Sequence, residues 1–148
     1  MEETKVVKLL VEGPVSMHYI ADSIAKHSAN ASIGAHDIFL GQVRSDVIEG
    51  KIVIGIDYTC YAEMAEEKIN EIKEAALTRF KLNSVQVQHS IGVVNSGDIS
   101  LFVLVCAGHR VEAFEACRWI VEEIKANVPI WGKEFFDDET YRWKTNTK

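Results

Sequence analysis

Arg44, His109, Arg110 and Lys125 fall where the residue pattern changes from one element to the next, and Lys133 stands in the strand just beyond. Side chains at such boundaries can meet a ligand, and guanidinium or ammonium groups there suit phosphate and carboxylate. Arg44 closes Gly41-Gln42-Val43-Arg44 ahead of a polar stretch, so it is either a plain surface arginine or a fork presented by a strand. His109-Arg110 follow the apolar run Leu101–Cys106 and open a helix, whose free N–H groups favour an anion. His109 could donate to an oxyanion or exchange a proton near neutral pH, or else cap the helix or fill a packing gap. Lys133 follows Trp131-Gly132 and suits a phosphate or a covalent intermediate, or is a solvated edge lysine. Trp131 fits the core, an interface or a ligand contact equally well. The pattern is that of an anion site in an acidic chain.

Lys125 lies fifteen positions beyond Arg110, which along a straight helix is roughly 22 Å. One compact pocket in one subunit cannot easily hold both. Either they serve different sites, or a two-fold dimer brings Lys125 of one chain to His109 and Arg110 of the other.

The elements that position these residues follow from hydrophobic period and from breakers. Lys5–Val11 reads as a first strand stopped by Gly13-Pro14. Ser16 caps a helix running to about Ser28. The middle of Ala31–Val43 reads as a strand with Ile38 and Leu40 facing one way and Phe39 the other. Arg44–Gly50 reads as an exposed loop. Lys51–Cys60 alternates, placing Ile52, Ile54, Ile56 and Tyr58 on one face. Tyr61–Phe80 is a helix with an apolar stripe of Tyr61, Ala65, Ile69, Ile72, Ala76 and Phe80; its glutamates form a solvated face. Val85–Ile91 and Ile99–Val105 are strands separated by Gly92 and Asn95-Ser96-Gly97-Asp98. Arg110–Ala126 is a second long helix, buried through Phe114, Cys117, Val121 and Ile124 and stopped by Pro129. Ile130–Phe136 is a last strand before a polar tail from about residue 138. No repeat or linker divides the chain, so residues 1–148 are expected to form one α+β domain.

Composition narrows the function classes. The 148 residues are 47% hydrophobic, enough for a core, and a formal charge of -6 argues against nucleic acid or an anionic membrane as partner. A small anion is still allowed, because a pocket needs only a few converging cations. Cys60, Cys106 and Cys117 are odd in number with no Cys-x-x-Cys spacing, and read as core thiols. The five histidines lack tight ligand spacing, so no metal is expected. No phosphate-binding glycine loop or dinucleotide fingerprint is present. Without an apolar run of spanning length or a secretory signal pattern, the expected setting is reducing and cytoplasmic.

Taken together, the motifs resemble the MoaE family, the large catalytic subunits of molybdopterin synthase. The resemblance rests on Gly34-Ala35, Phe39-Leu40-Gly41-Gln42-Val43-Arg44 and Tyr58-Thr59-Cys60-Tyr61-Ala62-Glu63-Met64-Ala65. It continues through His89-Ser90-Ile91-Gly92, Gly108-His109-Arg110 with Ala113-Phe114, Ile124-Lys125, Val128-Pro129-Ile130-Trp131, Lys133-Glu134 and Trp143. Nearly the whole chain is covered.

The resemblance implies an α/β-hammerhead fold with a mixed sheet and two long helices, and a homodimer. Each large subunit would bind a small ubiquitin-like sulfur carrier (MoaD-like), giving a heterotetramer. The carrier's C-terminal Gly-Gly thiocarboxylate would supply sulfur, twice, to convert cyclic pyranopterin monophosphate into the dithiolene of molybdopterin. No resident cofactor is implied. Arg44, His109 and Arg110 would hold the phosphate and pterin, the His-Arg pair acting in the opposite subunit's site. Lys125 would serve the carrier tail, while Phe39, Thr59 and Trp131 would line or support the pocket. A non-catalytic binding protein for a ubiquitin-like partner is the alternative.

Two positions depart from the family pattern. The family usually has lysine directly after the motif tryptophan, where this chain has Gly132, followed by Lys133. Neighbouring strand residues point oppositely, so Lys133 could substitute only through a bulge or twist, which Gly132 would ease. Such partial substitution by Lys133 is expected here. The family commonly has glutamate where this chain has Thr59, leaving the main cation set intact.

Overall fold

Ile99–Ala107 is apolar except for Ser100, and a strand of that composition must be covered on both faces. In the computed structural model, which describes residues 8–144, all nine of its residues are buried. The elements in chain order are β1 (Leu10–Glu12), α1 (Met17–Ser28), β2 (Ala35–Gln42), β3 (Val47–Ile48), β4 (Lys51–Cys60) and α2 (Ala62–Arg79). They continue with β5 (Ser84–Asn95), β6 (Ile99–Ala107), α3 (Arg110–Asn127), β7 (Ile130–Phe136) and β8 (Tyr141–Trp143). Strand order is β2-β6-β5-β4-β7-β8, with β1 parallel on β5 and β3 antiparallel on β4. The domain is thus α+β with a mixed sheet, and α2 and α3 are its two long helices.

Alternation along β6 divides the core. Leu101, Val103 and Val105 pack under α2 and α3 with Ile69, Ile72, Ile120 and Ile124. Phe102, Leu104 and Cys106 face α1 through Ile20. Ser16 begins α1 as expected, its side chain accepting the Tyr19 N–H at 2.9 Å. Residue 92 redirects β5: Ser84–His89 pair with β6, and Gly92–Asn95 pair with β4. Gly92 has φ +77, and a Cβ there would collide with the Glu12 carboxylate. Gly92 therefore bends one continuous strand between two pairings, rather than ending it.

Several expectations are corrected. The first strand is Leu10–Glu12; residues 5–7 of the expected Lys5–Val11 strand lie outside the described residues. The Arg44–Gly50 stretch contains β3, joined to β4 by Glu49-Gly50, both at positive φ as a two-residue hairpin turn requires. Ile52 and Ile54 are exposed while Val53 and Ile56 are buried. The cause is a register shift against β7, in which Val53 faces Phe136 and Gly55 faces Phe135, leaving Ile54 as an extra residue. Helix α3 buries Ala113, Ala116, Cys117, Ile120 and Ile124, and Phe114 is exposed. Small residues at 113 and 116 bring the helix close to the sheet and turn Phe114 outward.

The expected polar tail from about residue 138 instead folds back as β8 on β7. Glu134, buried on β7, meets Arg142 of β8 through Arg142 Nε at 3.1 Å. Arg142→Ala would leave that carboxylate without its partner. A loss of about 1–3 kcal/mol is expected, read as a lower urea midpoint; an unchanged midpoint would show that the pair does not anchor β8.

Candidate active site

Lys125 occupies the last turn of α3, the end where helix carbonyls favour a cation. Val128 is the C-cap, extended at φ -79 and ψ 127 because Pro129 follows. The chain then enters β7 and passes Trp131 and Gly132 beside Lys125. A cleft of about 100 Å³ forms there, bordered by Tyr58, His89, Lys125, Trp131, Gly132 and Lys144, with an apolar wall from Ile124. Trp131 stands edge-on to Tyr61, ring centres 5.3 Å apart.

The cleft's polar groups have defined roles. Tyr58 donates to Ser100 Oγ at 3.1 Å, and Ser100 Oγ donates to the Gly41 carbonyl at 3.4 Å. Burial raises the Tyr58 pKa, which keeps a neutral phenol. His89 Nδ1 lies 2.7 Å from the Ser90 carbonyl. A carbonyl only accepts, so Nδ1 carries the proton and Nε2 is left bare. Burial, together with the charge of Lys125, lowers the His89 pKa to about 4. Burial also lowers the Lys125 pKa, and the charge of Lys144 adds to the effect. A lysine in this state carries more neutral amine near pH 7 than a solvated one.

The His89 shift makes a stability prediction. Unfolded, the ring binds a proton below about pH 6.5; folded, only below about 4. Between those values the unfolded chain holds more protons, so stability falls as pH drops through that window. From about pH 7 to about pH 5 the His89 contribution amounts to a loss of about 2 kcal/mol. His89→Gln should remove that part of the slope in urea unfolding. Identical slopes in the two proteins would contradict the buried neutral ring.

The expected site residues are not all brought together within one protomer. Lys125 and Trp131 meet in the cleft. His109, the N-cap of α3, and Arg110, its first residue, stand at the other end of a continuous helix, roughly 22 Å away. His109 borders a separate cleft with Lys81, Asn83, Gly108 and Glu112. A Cβ at Gly34 would collide with the Gly108 carbonyl, so glycine there lets the two loops approach. Arg44 does not border the Lys125 cleft; it is exposed and pairs with Asp46, Nε to Oδ1 at 3.4 Å. Phe39 borders a shallow cleft with Phe114 and Cys117, and Thr59 is exposed opposite Trp131.

Lys133 is a correction. Its ammonium lies over the Tyr141 ring at 4.5 Å, flanked by Phe135 and Trp143, and it does not border the Lys125 cleft. No bulge occurs at Gly132: Gly132 faces Tyr58 and Lys133 faces Asp57 in regular register. Strand alternation therefore holds, and Lys133 points away from the cleft. Tyr58, His89 and Lys144 are cleft residues that sequence reasoning did not select. The alternating aromatics of Tyr141-Arg142-Trp143, after the turn-rich Asp137-Asp138-Glu139, were the available signal for the strand that carries Lys144.

Burial disfavours the thiolate at all three cysteines. Burial pushes Cys117 up to about 12, with Asp37 adding to the effect, and burial also raises Cys60 and Cys106. Among the described residues, no group of three or more His, Cys, Asp or Glu is placed to hold a metal ion, and no helix is long and apolar enough to cross a membrane.

Comparison with known proteins agrees with the motifs. Residues 11–127 match the family model described as MoaE protein. A rice (Oryza sativa) molybdopterin synthase catalytic subunit is 38% identical over 98% of this chain and 73% of its own length. The crystal structure of molybdopterin synthase from Staphylococcus aureus superposes with a TM-score of 0.81 at 28% identity, covering 93% of this chain and 96% of that one. A protein–protein complex of subunits 1 and 2 of molybdopterin-converting factor from Helicobacter pylori shares the fold, with a TM-score of 0.77 at 18% identity over 92% of this chain and 88% of that one.

Proposed function

Because the chain belongs to the MoaE family of molybdopterin synthase catalytic subunits, we propose that it transfers sulfur from a ubiquitin-like carrier's C-terminal thiocarboxylate to cyclic pyranopterin monophosphate. The observation that carries this reading is the narrow cleft around Lys125. At about 100 Å³ it falls well below the roughly 300–1,000 Å³ of ordinary small-molecule sites. It suits a slim diglycine tail better than a fused pterin. Support for a carrier partner comes from the fold neighbour solved as a two-subunit complex.

In each of two rounds, the thiocarboxylate sulfur bonds to a pterin side-chain carbon as that carbon releases an oxygen, to the opening cyclic phosphate in one round and as water in the other, and the sulfur's bond to the terminal glycine carbonyl carbon then breaks. The acyl group leaves to water as carboxylate, directly or after a transient amide on Lys125. Lys125 stabilises the oxygen charge that develops at that carbonyl. Tyr58 and neutral His89 supply fixed dipoles beside it, and apolar Ile124 limits water. Arg44 binds phosphate, and in a homodimer His109 of the partner subunit and Arg110 of the partner subunit complete the pterin site. The separation of Lys125 from Arg110 along α3 supports that division. The reaction asks no resident cofactor or metal of this chain, and a cytoplasmic setting suits it.

Zero-length carbodiimide cross-linking of the carrier's terminal carboxylate tests the placement of the tail. The bond should map by mass spectrometry to Lys125. Mapping to a distant surface lysine would overturn the assignment. Gly132, at the family's lysine position, favours one rival reading, a carrier-binding protein without catalysis. That rival predicts the cross-link but no product.

A further inference from the structure

Position 132 lacks the family's lysine, and the fold offers a cation from the strand beside it. Lys133 pairs with Trp143 and Glu134 with Arg142, which sets Gly132 opposite Lys144. The Lys144 N–H donates to the Gly132 carbonyl at 2.8 Å, closing that pair. Residues directly opposite in an antiparallel ladder stand side by side on the same face. Alternation then sorts the hairpin. Lys133 and Phe135 share one face with Tyr141 and Trp143. Glu134 and Arg142 share the other, joined by their ion pair.

Lys144 is on the second face and borders the Lys125 cleft. Gly132 cannot easily host a side chain there, since a Cβ would lie 2.9 Å from Ile56 Cγ2. A lysine reaching in from β8 avoids that contact. The strand is held on both faces, by the Glu134–Arg142 pair and by the rings around Lys133.

We propose that Lys144 is the second cation of the Lys125 cleft, binding an anionic oxygen of the reacting groups in place of a lysine at position 132. The proposal deepens the sulfur-transfer reading and rests on it for the identity of the anion. That oxygen belongs either to the carrier's terminal carbonyl group or to the pterin phosphate. Lys125 from α3, Tyr58 from β4 and His89 from β5 are the other titratable groups at the cleft.

Two readouts on Lys144→Ala test it, with Lys144→Arg and Lys133→Ala alongside and thermal melts confirming the fold. The first is the pH dependence of Lys125 acylation by a small amine-reactive reagent, followed by mass spectrometry. Loss of Lys144 should move the Lys125 midpoint upward, and by more than loss of Lys133 does. The second is single-turnover product formation, which should fall by about tenfold or more in Lys144→Ala, since a charge-assisted hydrogen bond is lost. Lys144→Arg should recover part of it. A raised half-saturating carrier concentration assigns the oxygen to the tail; a raised pterin concentration assigns it to the phosphate.

The proposal is overturned if the Lys125 midpoint stays in place, or if Lys133→Ala loses more product than Lys144→Ala. Should the wild type form no product, the sulfur-transfer reading fails by itself, and the acylation midpoint still decides whether Lys144 belongs to the cleft.

Discussion

Lys125→Ala should lower the single-turnover rate of sulfur transfer by about 10²–10³-fold, the loss typical of removing one group aimed at a developing oxyanion. The fold should survive. Lys125 sits in the final turn of α3, where alanine is a good helix former, and losing a favourable helix-end charge costs about 0.3–1 kcal/mol. Its neighbours Ile124 and His89 keep their own packing. Lys125→Arg separates two roles for the amine. Burial and Lys144 both lower the Lys125 pKa, which favours the neutral amine more than in a solvated lysine. A guanidinium stays charged and is wider, so Lys125→Arg is expected to remain far below wild type. Full rescue by arginine would reduce Lys125 to a point charge and remove the transient amide from the mechanism. A normal rate in Lys125→Ala would place the chemistry elsewhere.

Two inactive variants mixed together should regain activity if the site spans the dimer. Lys125→Ala disables the tail end of a site, and Arg110→Ala disables the pterin end contributed by the partner. In a mixed dimer both lesions fall in one site and the other is intact. Random exchange of equal amounts makes half the dimers mixed, each with one working site, so about a quarter of wild-type activity is expected by two-fold symmetry. Arg110 and Lys125 lie on one unbroken helix, roughly 22 Å apart, and border no common cleft. Activity measured after subunit exchange, against each variant alone, decides it. Recovery no greater than the sum of the parents would mean that each protomer holds a self-contained site.

Helices were the most legible part of the fold, because their signals are local. Ser16 at the start of α1 and Pro129 after α3 act through their own backbone geometry. So does the turn at Asn95–Asp98, where Gly97 has φ +94. What was missed depends on distant partners. The phase of β4 flips at Ile54 because β7 sets the register, and nothing in residues 51–60 announces the bulge. The Glu49-Gly50 turn lacks the asparagine or aspartate that usually marks two positive φ values. Phe114 was expected on the buried side of α3 with Cys117, Val121 and Ile124, whereas contact with the sheet favours the small Ala113 and Ala116.

The site divided in the same way. That Lys125 and Trp131 would lie close together was legible because helix end, proline and strand start are contiguous, while the role of Trp131 stayed open between core, interface and ligand contact. Tyr58, His89 and Lys144 come from three separate strand regions, and only cross-strand pairing collects them. Lys133 was read as a substitute for the missing lysine because it is next in sequence. Strand alternation sends it to Tyr141 instead, and the cation that stands opposite Gly132 across the ladder is Lys144, twelve residues beyond Gly132 in sequence.

The most direct measurement is single-turnover formation of molybdopterin by the purified wild-type protein, mixed with cyclic pyranopterin monophosphate and thiocarboxylated carrier. Sulfur transfer requires dithiolene product, with two carrier thiocarboxylates converted to carboxylates for each pterin. Tight carrier binding with the pterin returned unchanged, while a relative carrying the position-132 lysine turns over the same substrates, would contradict it and leave a carrier-binding protein without catalysis.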